Sequence, residues 1–465
     1  DPAGIAEAIH DVSDAVGFRL ESANAEFDAA QFEFTLEYDD ALAAADEAFL
    51  FKTMARDVAF EMGHLLTFLP RPLMDRGGSG LHVNLSLLDA DGNNALLDPS
   101  AGNGLSTLAM QCIAGIHYNF SLPPQLWQVL QAQEGDTRSA QDYQFERYFA
   151  LIRNFRRRSW LLMLLFGASP ALDSSFVANM KHDLSRFDDR TWHGQYATSL
   201  RMGDLGYHNN AQASLNICFN ELATYTRTLD RAIHTNWPAY EAIGTQRDGE
   251  FIQINTSVLQ IENEYYSAVR PKRTTERGEK PIQALDARGV EYIEVRCLDL
   301  DPFSPVGVNQ AQVDFLDLFL LDCLLTDSPR IGDEECERLD DNYKDVVASG
   351  RWQELALCRA NCERVPVGNA ARELLDRLQP LAEQLDSWEQ GETYRNALAA
   401  QRDKLQGSDW AVPSDRVLDA MSASGLGHRE WTLEMSRQHQ QTLRNETLAP
   451  DVLSAYQAMT RESLA

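Results

Sequence analysis

The sequence predicts an α+β protein, with strands gathered into a sheet, helices flanking it, and a helical C-terminal region. Three observations carry this. Residues 115–122 read G-I-H-Y-N-F-S-L. Their strict alternation sets Ile116, Tyr118, Phe120 and Leu122 against His117, Asn119 and Ser121, the period of a strand with one buried face. Residues 80–87, G-L-H-V-N-L-S-L, repeat that frame with His82, Asn84 and Ser86. From about residue 331 to the end, apolar residues recur at helical spacing among Glu, Arg and Gln.

Composition narrows the function. At 465 residues the chain can bury a large core and hold two or more domains. A net charge of -29 excludes general nucleic-acid binding, which needs a positive field. An anionic substrate would need a local basic pocket. The longest apolar run, W-L-L-M-L-L-F-G-A at 160–168, is far short of the ~20 residues of a membrane span. It reads as a buried core segment behind Arg153 and residues 156–158, and no membrane partner is expected. Seven cysteines, an odd and scattered set, argue against a secreted disulfide framework and for reduced thiols in the cytoplasm.

Taken in order, residues 1–16 read as a short helix. Residues 31–37 form a strand, with Phe32, Phe34 and Leu36 alternating with Gln31, Glu33 and Thr35. Asp39 or Asp40 can cap a helix running to about residue 63. T-F-L-P-R-P-L (67–73) is held extended by its prolines, and G-G-S-G (77–80) turns into the first His strand. Residues 105–114 fit a helix or a strand, and the second His strand follows. Residues 142–159 read as a helix, 166–170 as a turn, and a helix is expected near 214–233. Residues 251–266 read as strand segments, 270–280 as a charged loop, 290–300 as a strand and 313–326 as an apolar helix.

Several side chains could carry chemistry. In Y-I-E-V-R, Glu294 and Arg296 share one strand face with Tyr292, while Ile293, Val295 and Cys297 take the other. The pair is either a structural ion pair, or a metal ligand beside a guanidinium for a phosphate oxygen. His117 is either a hydrogen-bonded residue or an imidazole ligand in an oxygen-rich Mg²⁺ or Mn²⁺ site. Glu262, Glu264 and Tyr266 would share a face of L-Q-I-E-N-E-Y-Y. Arg270, Lys272 and Arg273, held by Pro271, form a candidate anion site for phosphate, whereas Arg277 reads as solvated charge. No Walker loop occurs, and no G-x-G-x-x-G follows a strand.

From about residue 108 onward the chain closely resembles bacterial glutamate–cysteine ligases. The runs that carry the resemblance are I-A-G-I-H-Y-N-F-S-L-P (113–123), L-F-G-A-S-P-A (165–171) and Y-A-T-S-L-R-M-G-D-L-G-Y (196–207). Two more are V-L-Q-I-E-N-E-Y-Y-S-A-V-R-P-K-R (258–273) and G-V-E-Y-I-E-V-R-C-L-D-L-D-P-F-S-P-V-G-V (289–308). Residues 1–107 instead resemble glutamine synthetase, through A-N-A-E-F (23–27), A-A-Q-F-E (29–33), T-F-L-P-R-P (67–72) and G-S-G-L-H-V-N-L-S-L (78–87). The chain therefore reads as a chimera: a synthetase-like front (1–107), a ligase-like catalytic region (108–330) and a helical C-terminal region (331–465).

The resemblance implies a curved antiparallel sheet of the glutamine synthetase catalytic type, flanked by helices. It implies ATP-dependent ligation of the L-glutamate γ-carboxylate to the L-cysteine amine through a γ-glutamyl phosphate, the first step of glutathione biosynthesis, with Mg²⁺ or Mn²⁺. The alternatives are a glutamine-synthetase-like ligase using ammonia or another amine, and an inactive hybrid. By the same resemblance Glu26, Glu33, His117 and Glu294 are metal ligands, Arg296 stabilises the transferred phosphoryl group, and Arg201, Tyr207 and Tyr266 form the amino-acid pockets. His117, rather than His82, is expected to line the cleft, beside Glu294.

Overall fold

The computed structural model describes residues 2–18, 20–25, 32–36, 41–64, 66, 116–177, 180–205, 211, 215, 217, 219–247, 250–251, 253–275, 279–407 and 410–445. The expected His strand at 80–87 and the ambiguous stretch at 105–114 lie outside them. The chain divides into two compact units. One comprises Asp1–Asn84, Ile233–Gln260 and Thr275–Lys280, the other Leu85–Ala232, Ile261–Thr274 and Pro281–Ala465.

In the first unit, α1 (Pro2–Val16) is followed by β1 (Leu20–Ala25), β2 (Phe32–Leu36) and α2 (Ala41–Glu61). The strand at 31–37 and both helices follow their periodicity. β1, L-E-S-A-N-A, carries no alternating apolar residues and owes its extended form to antiparallel pairing with β2, Ala23 opposite Phe34. Ile9, Phe51 and Ala55 make the core, with Leu20, Phe34 and Leu36 packed on them. The Phe34 and Phe51 rings lie 5.3 Å apart. Residues 253–260 form a loop rather than the expected strand. Amide side chains satisfy the backbone there in place of a ladder: Gln260 Oε1 accepts from Ile254 N at 2.9 Å, and Gln253 Nε2 donates to the Gly244 carbonyl at 2.7 Å.

The second unit is built on β3 (Ile116–Phe120), α3 (Ala140–Phe166), β4 (Val269–Lys272), α4 (Pro281–Arg288), β5 (Tyr292–Leu298), α5 (Gln310–Leu325) and α6 (Asp333–Ser349). The expected helix at 142–159 and the apolar segment after it are one 27-residue helix, α3, started by Ser139, whose side chain accepts from Asp142 N. Its last turns are buried all round, Ser159 to Phe166 without exception. A helix with no solvated face shows no amphipathic period, so the sequence splits it in two. Phe155 meets Phe319 and Phe166 meets Phe315 of α5 edge-on, at 6.0 and 5.6 Å. Each such buried ring contributes about 1.5–3 kcal/mol.

The sheet of this unit has the order β3–β5–β4, antiparallel throughout. Ile293, Val295 and Cys297 are fully buried, and β5 packs against α3. The alternation read from both strands therefore holds. Beyond α6, the helices Val367–Glu389, Thr393–Asp403, Pro413–Ser424 and His428–Asn445 follow a short hairpin of Ala356–Cys358 and Arg364–Pro366. Asp386 joins two of these helices, its carboxylate accepting from Tyr394 N at 2.9 Å and Arg395 N at 3.0 Å. Among the described residues no helix is long and apolar enough to cross a membrane. Cys297, Cys323, Cys336, Cys358 and Cys362 are free thiols.

Candidate functional site

One face of the β3–β5–β4 sheet is polar because its strands keep register. Glu294, in the middle strand, lies opposite Asn119 on one side and Arg270 on the other. Every second residue then falls on the same face: His117 on β3, Arg296 on β5 and Lys272 on β4. The carboxylate is ringed by these groups. His117 Nδ1 is 3.3 Å from Glu294 Oε1, Lys272 Nζ is 3.5 Å from Oε2, and Arg296 Nε is 3.6 Å from Oε2. The Glu294 side chain is only 11% exposed.

One carboxylate beside Lys272, Arg296 and Arg270 leaves local positive charge in a strongly acidic chain. Burial, then the neighbouring Arg270, pushes the Lys272 ammonium below its ordinary range, and the same causes act in the same direction on Arg296. Several polar atoms here are buried without a hydrogen-bond partner: Glu294 Oε2, Arg296 Nε and Nη1, and Arg270 Nε. Buried groups of this kind are costly unless something pairs them. Guanidinium nitrogens of this sort match the oxygens of a phosphoryl group. A carboxylate with an imidazole beside it matches a divalent cation in donor type. Among the described residues no group of three or more His, Cys, Asp or Glu side chains could hold a metal ion, so His117 and Glu294 are the candidate ligands there.

A second cluster adjoins the first through Arg296. The Arg296 guanidinium lies 4.9 Å from the centre of the Tyr266 ring. Tyr266 Oη donates to the Arg296 carbonyl at 3.0 Å and meets Arg201 Nη1 at 3.0 Å. Arg201 Nε donates to Asp299 at 2.7 Å, and its Nη2 is buried with no partner. Burial alone would push the Arg201 guanidinium down, but the charge of Asp299 holds it above its ordinary value. On the opposite sheet face, Tyr118 Oη donates to Asp317 at 2.5 Å and pins β3 to α5. Burial and that carboxylate raise the phenol, while burial raises Asp317.

The structure thus brings together His117, Glu294, Arg296, Lys272 and Arg270, and joins Arg201 and Tyr266 to them. His117 lies beside Glu294 as expected. Arg273 is not part of this group: it donates to the Arg288 carbonyl at 2.8 Å and faces Glu291. Glu26 and Tyr207 lie outside the described residues. Glu33 sits on β2, but its side chain is outside them too. The expected strand face of Glu262, Glu264 and Tyr266 is replaced by a 3-10 turn at Glu262–Glu264. The buried Glu262 caps α4 instead, accepting from Ile282 N at 2.9 Å, and its carbonyl accepts from Arg270 at 3.3 Å. The sequence reading missed Asp299. Its only signal was an acidic residue directly after the strand, inside the L-D-L-D-P run. A cavity of about 340 Å³ lined by Arg138, Asp142, Phe145, Glu146 and Asp286, among others, shares none of the site residues.

Comparison with known proteins gives two consecutive matches. The glutamate–cysteine ligase family model matches residues 106–346, and that of the glutamine synthetase catalytic domain matches residues 3–121. They overlap over the stretch that contains β3. The chain is similar to a glutamate–cysteine ligase of Azotobacter vinelandii, 53% identical over 359 residues, covering 77% of this chain and 67% of the relative. One from Pseudomonas putida is 50% identical over 356 residues with the same coverage. Among solved structures, the Francisella tularensis glutamate–cysteine ligase in complex with AMP aligns with a TM-score of 0.67 at 29% identity, covering 95% of this chain and 86% of that one. A bifunctional glutathione synthetase from Pasteurella multocida shares the fold, with a TM-score of 0.53 at 21% identity over 72% of this chain and 37% of that one.

Proposed function

The chain belongs to the glutamate–cysteine ligase family, and from that premise we propose that it joins the γ-carboxylate of L-glutamate to the amine of L-cysteine, using ATP. In the first step a γ-carboxylate oxygen attacks the γ-phosphorus of ATP and ADP leaves. In the second, the cysteine amine attacks the acyl carbon of the γ-glutamyl phosphate, phosphate leaves, and the nitrogen loses a proton. The single observation that carries the reading at this site is the ring of His117, Lys272 and Arg296 around the buried Glu294.

Charge placement is the main work of such a site, since phosphoryl transfer is helped chiefly by positioning and electrostatics. Arg296 keeps Nη1 without a partner and holds Nε only in a 3.6 Å ion pair with Glu294, so both suit equatorial oxygens of the moving phosphoryl group. Lys272 and Arg270 add positive charge for the rest of the nucleotide phosphates. Arg201, with Tyr266 beside it, takes a substrate carboxylate through its unpaired Nη2; Tyr207 is assigned to the same pocket by resemblance alone. Glu294 and His117 would hold a divalent cation, Mg²⁺ or Mn²⁺, which neutralises phosphate oxygens. The carboxylates Glu26 and Glu33 keep the metal role implied by their match to glutamine synthetase. The free thiols among the described residues suit the reducing cytoplasm.

Incubating the chain with ATP, Mg²⁺, glutamate and cysteine should form γ-glutamylcysteine and phosphate in equal amounts. EDTA should stop both, and added Mg²⁺ should restore them; turnover in EDTA would remove the metal role. The match of residues 3–121 to the glutamine synthetase domain favours one second reading, in which ammonia is the amine. Glutamine formed in preference to the dipeptide, with both amines present, would select it. No product with either amine would mark an inactive hybrid.

A further inference from the structure

Asp299, the residue that follows β5, gathers more donors than any other carboxylate around the site. It is 2% exposed. Its Oδ1 accepts from Arg201 Nε at 2.7 Å. Its Oδ2 accepts from Ala168 N at 2.9 Å, Ser169 N at 3.1 Å and Ser169 Oγ at 2.7 Å. Ser169 Oγ also lies 3.1 Å from Ser199 Oγ, and the Ser169 carbonyl accepts from Leu200 N at 2.7 Å. Three separate stretches, 165–171, 196–205 and the end of β5, therefore meet on one carboxylate. The contact leaves no slack: a Cβ on Gly167 would come within 2.8 Å of Thr198 Cβ and 2.9 Å of its carbonyl oxygen.

The two oxygens divide the labour. Oδ2 is filled by the loop, while Oδ1 accepts from the guanidinium alone among the described residues. With Nε tied to Asp299 and Nη1 to Tyr266 Oη, the planar Arg201 fork has both edges fixed. Its remaining nitrogen, Nη2, is buried and unpaired. A guanidinium fixed in this way loses little freedom when a carboxylate docks on it, which is what preorganisation means energetically.

We propose that Asp299 is a positioning residue for the ligase reaction, orienting Arg201 so that Nη2 receives the carboxylate of an amino-acid substrate. The inference rests on the ligase reading. It assigns Asp299 no contact with substrate or with the reacting atoms.

The test is steady-state kinetics on the full chain, with each substrate varied in turn. Asp299→Asn removes the charge that holds the fork. It should raise KM for one amino-acid substrate about 10- to 100-fold, the size expected from a lost charged hydrogen bond, while KM for Mg-ATP stays within about two-fold. Ser169→Ala removes one of the three donors to Oδ2 and the contact with Ser199 Oγ but leaves the Oδ1–Arg201 bond in place, and should change every constant by less than about three-fold. Unchanged amino-acid KM values in Asp299→Asn, or a Ser169→Ala variant that reproduces the loss, would overturn the proposal. Where the amide variant does not fold, Asp299→Glu decides, since it keeps the charge but shifts it by one methylene. A KM rise confined to one amino acid supports the role, and a uniform fall in kcat overturns it. No turnover by the unaltered chain would remove the ligase reading and this inference with it; turnover with unchanged KM in the variant removes the inference alone.

Discussion

Two groups of buried arginines lie in the same unit, and they differ in one respect. Along α3, Arg153 donates to Glu146 and to the carbonyls of Asn220 and Ser328. Arg157 donates to Glu335 and the Pro329 carbonyl, and Arg158 pairs with Asp322. No nitrogen of Arg153, Arg157 or Arg158 is buried without a partner, although Arg147 Nε, earlier on the same helix, is. On the sheet face, Arg201, Arg270 and Arg296 each keep at least one buried nitrogen unpaired, and a single carboxylate, Glu294, serves both Arg296 and Lys272. A protein built only for stability pairs what it buries. One orphaned nitrogen does not by itself set the two apart, since Arg147 on α3 and Arg273 outside the group each leave a buried Nε unpaired beside a carboxylate of their own; what distinguishes the sheet face is three cations, Arg270, Lys272 and Arg296, around one carboxylate.

The contrast can be broken at either end. The largest effect belongs to the sheet. Arg296→Ala should lower kcat/KM by about a thousand-fold, the range seen when a transition-state donor is removed, with no loss in Tm because a crowded cation has gone. A variant that instead melts several degrees lower while its folded fraction keeps the parent's kcat/KM would reverse the assignment. Next comes α3: Arg153→Ala strands Glu146 and two carbonyls, and should cost about 3–5 kcal/mol in urea denaturation, while kcat of the folded fraction stays unchanged.

A third kind of cation sharpens the rule. Lys404 makes no hydrogen bond to a carboxylate among the described residues; it donates to the Leu165 carbonyl at 2.9 Å and sits 4.6 Å from the centre of the Phe166 ring. Burial pushes its ammonium down to about 7. The folded chain then binds this proton more weakly than the unfolded chain does. Its contribution to stability is flat below about pH 7, and stability rises from there toward the ordinary lysine value of 10.5. Urea midpoints should show that rise in the parent and lose it in Lys404→Met; parallel curves would contradict it. The smallest effect is at the surface. Arg330 and Glu221, 69% and 45% exposed, form a solvated pair, and Arg330→Ala should leave Tm unchanged within error.

The sheet was legible because period two survives in a strand with one wet face. Ile293, Val295 and Cys297 against Glu294 and Arg296 could be assigned from the letters alone. The last turns of α3 could not, because burial on every side erases the polar stripe that marks a helix. β1 was missed for the opposite reason: its small polar residues carry no pattern, and its partner strand defines it. Within the candidate site, spacing and resemblance together single out Glu294, Arg296 and His117. The sequence offers Arg270, Lys272 and Arg273 as an anion site, and the structure sets the first two beside Glu294 and turns Arg273 to the Arg288 carbonyl. Asp299 escaped because its partners lie 98 to 131 residues away, and no local pattern encodes a contact that long. Glu262 looked like a strand acid, whereas its task is to cap a helix twenty residues later.

The central claim is that the face around Glu294 performs the chemistry, and phosphate release by Glu294→Gln tests it most directly. With Mg-ATP, glutamate and cysteine, the parent should release phosphate continuously. The variant, which leaves Lys272 and Arg296 without their counter-charge, should melt below the parent but stay folded at the assay temperature and release none above background. Release by Glu294→Gln at the parent's rate would contradict the account.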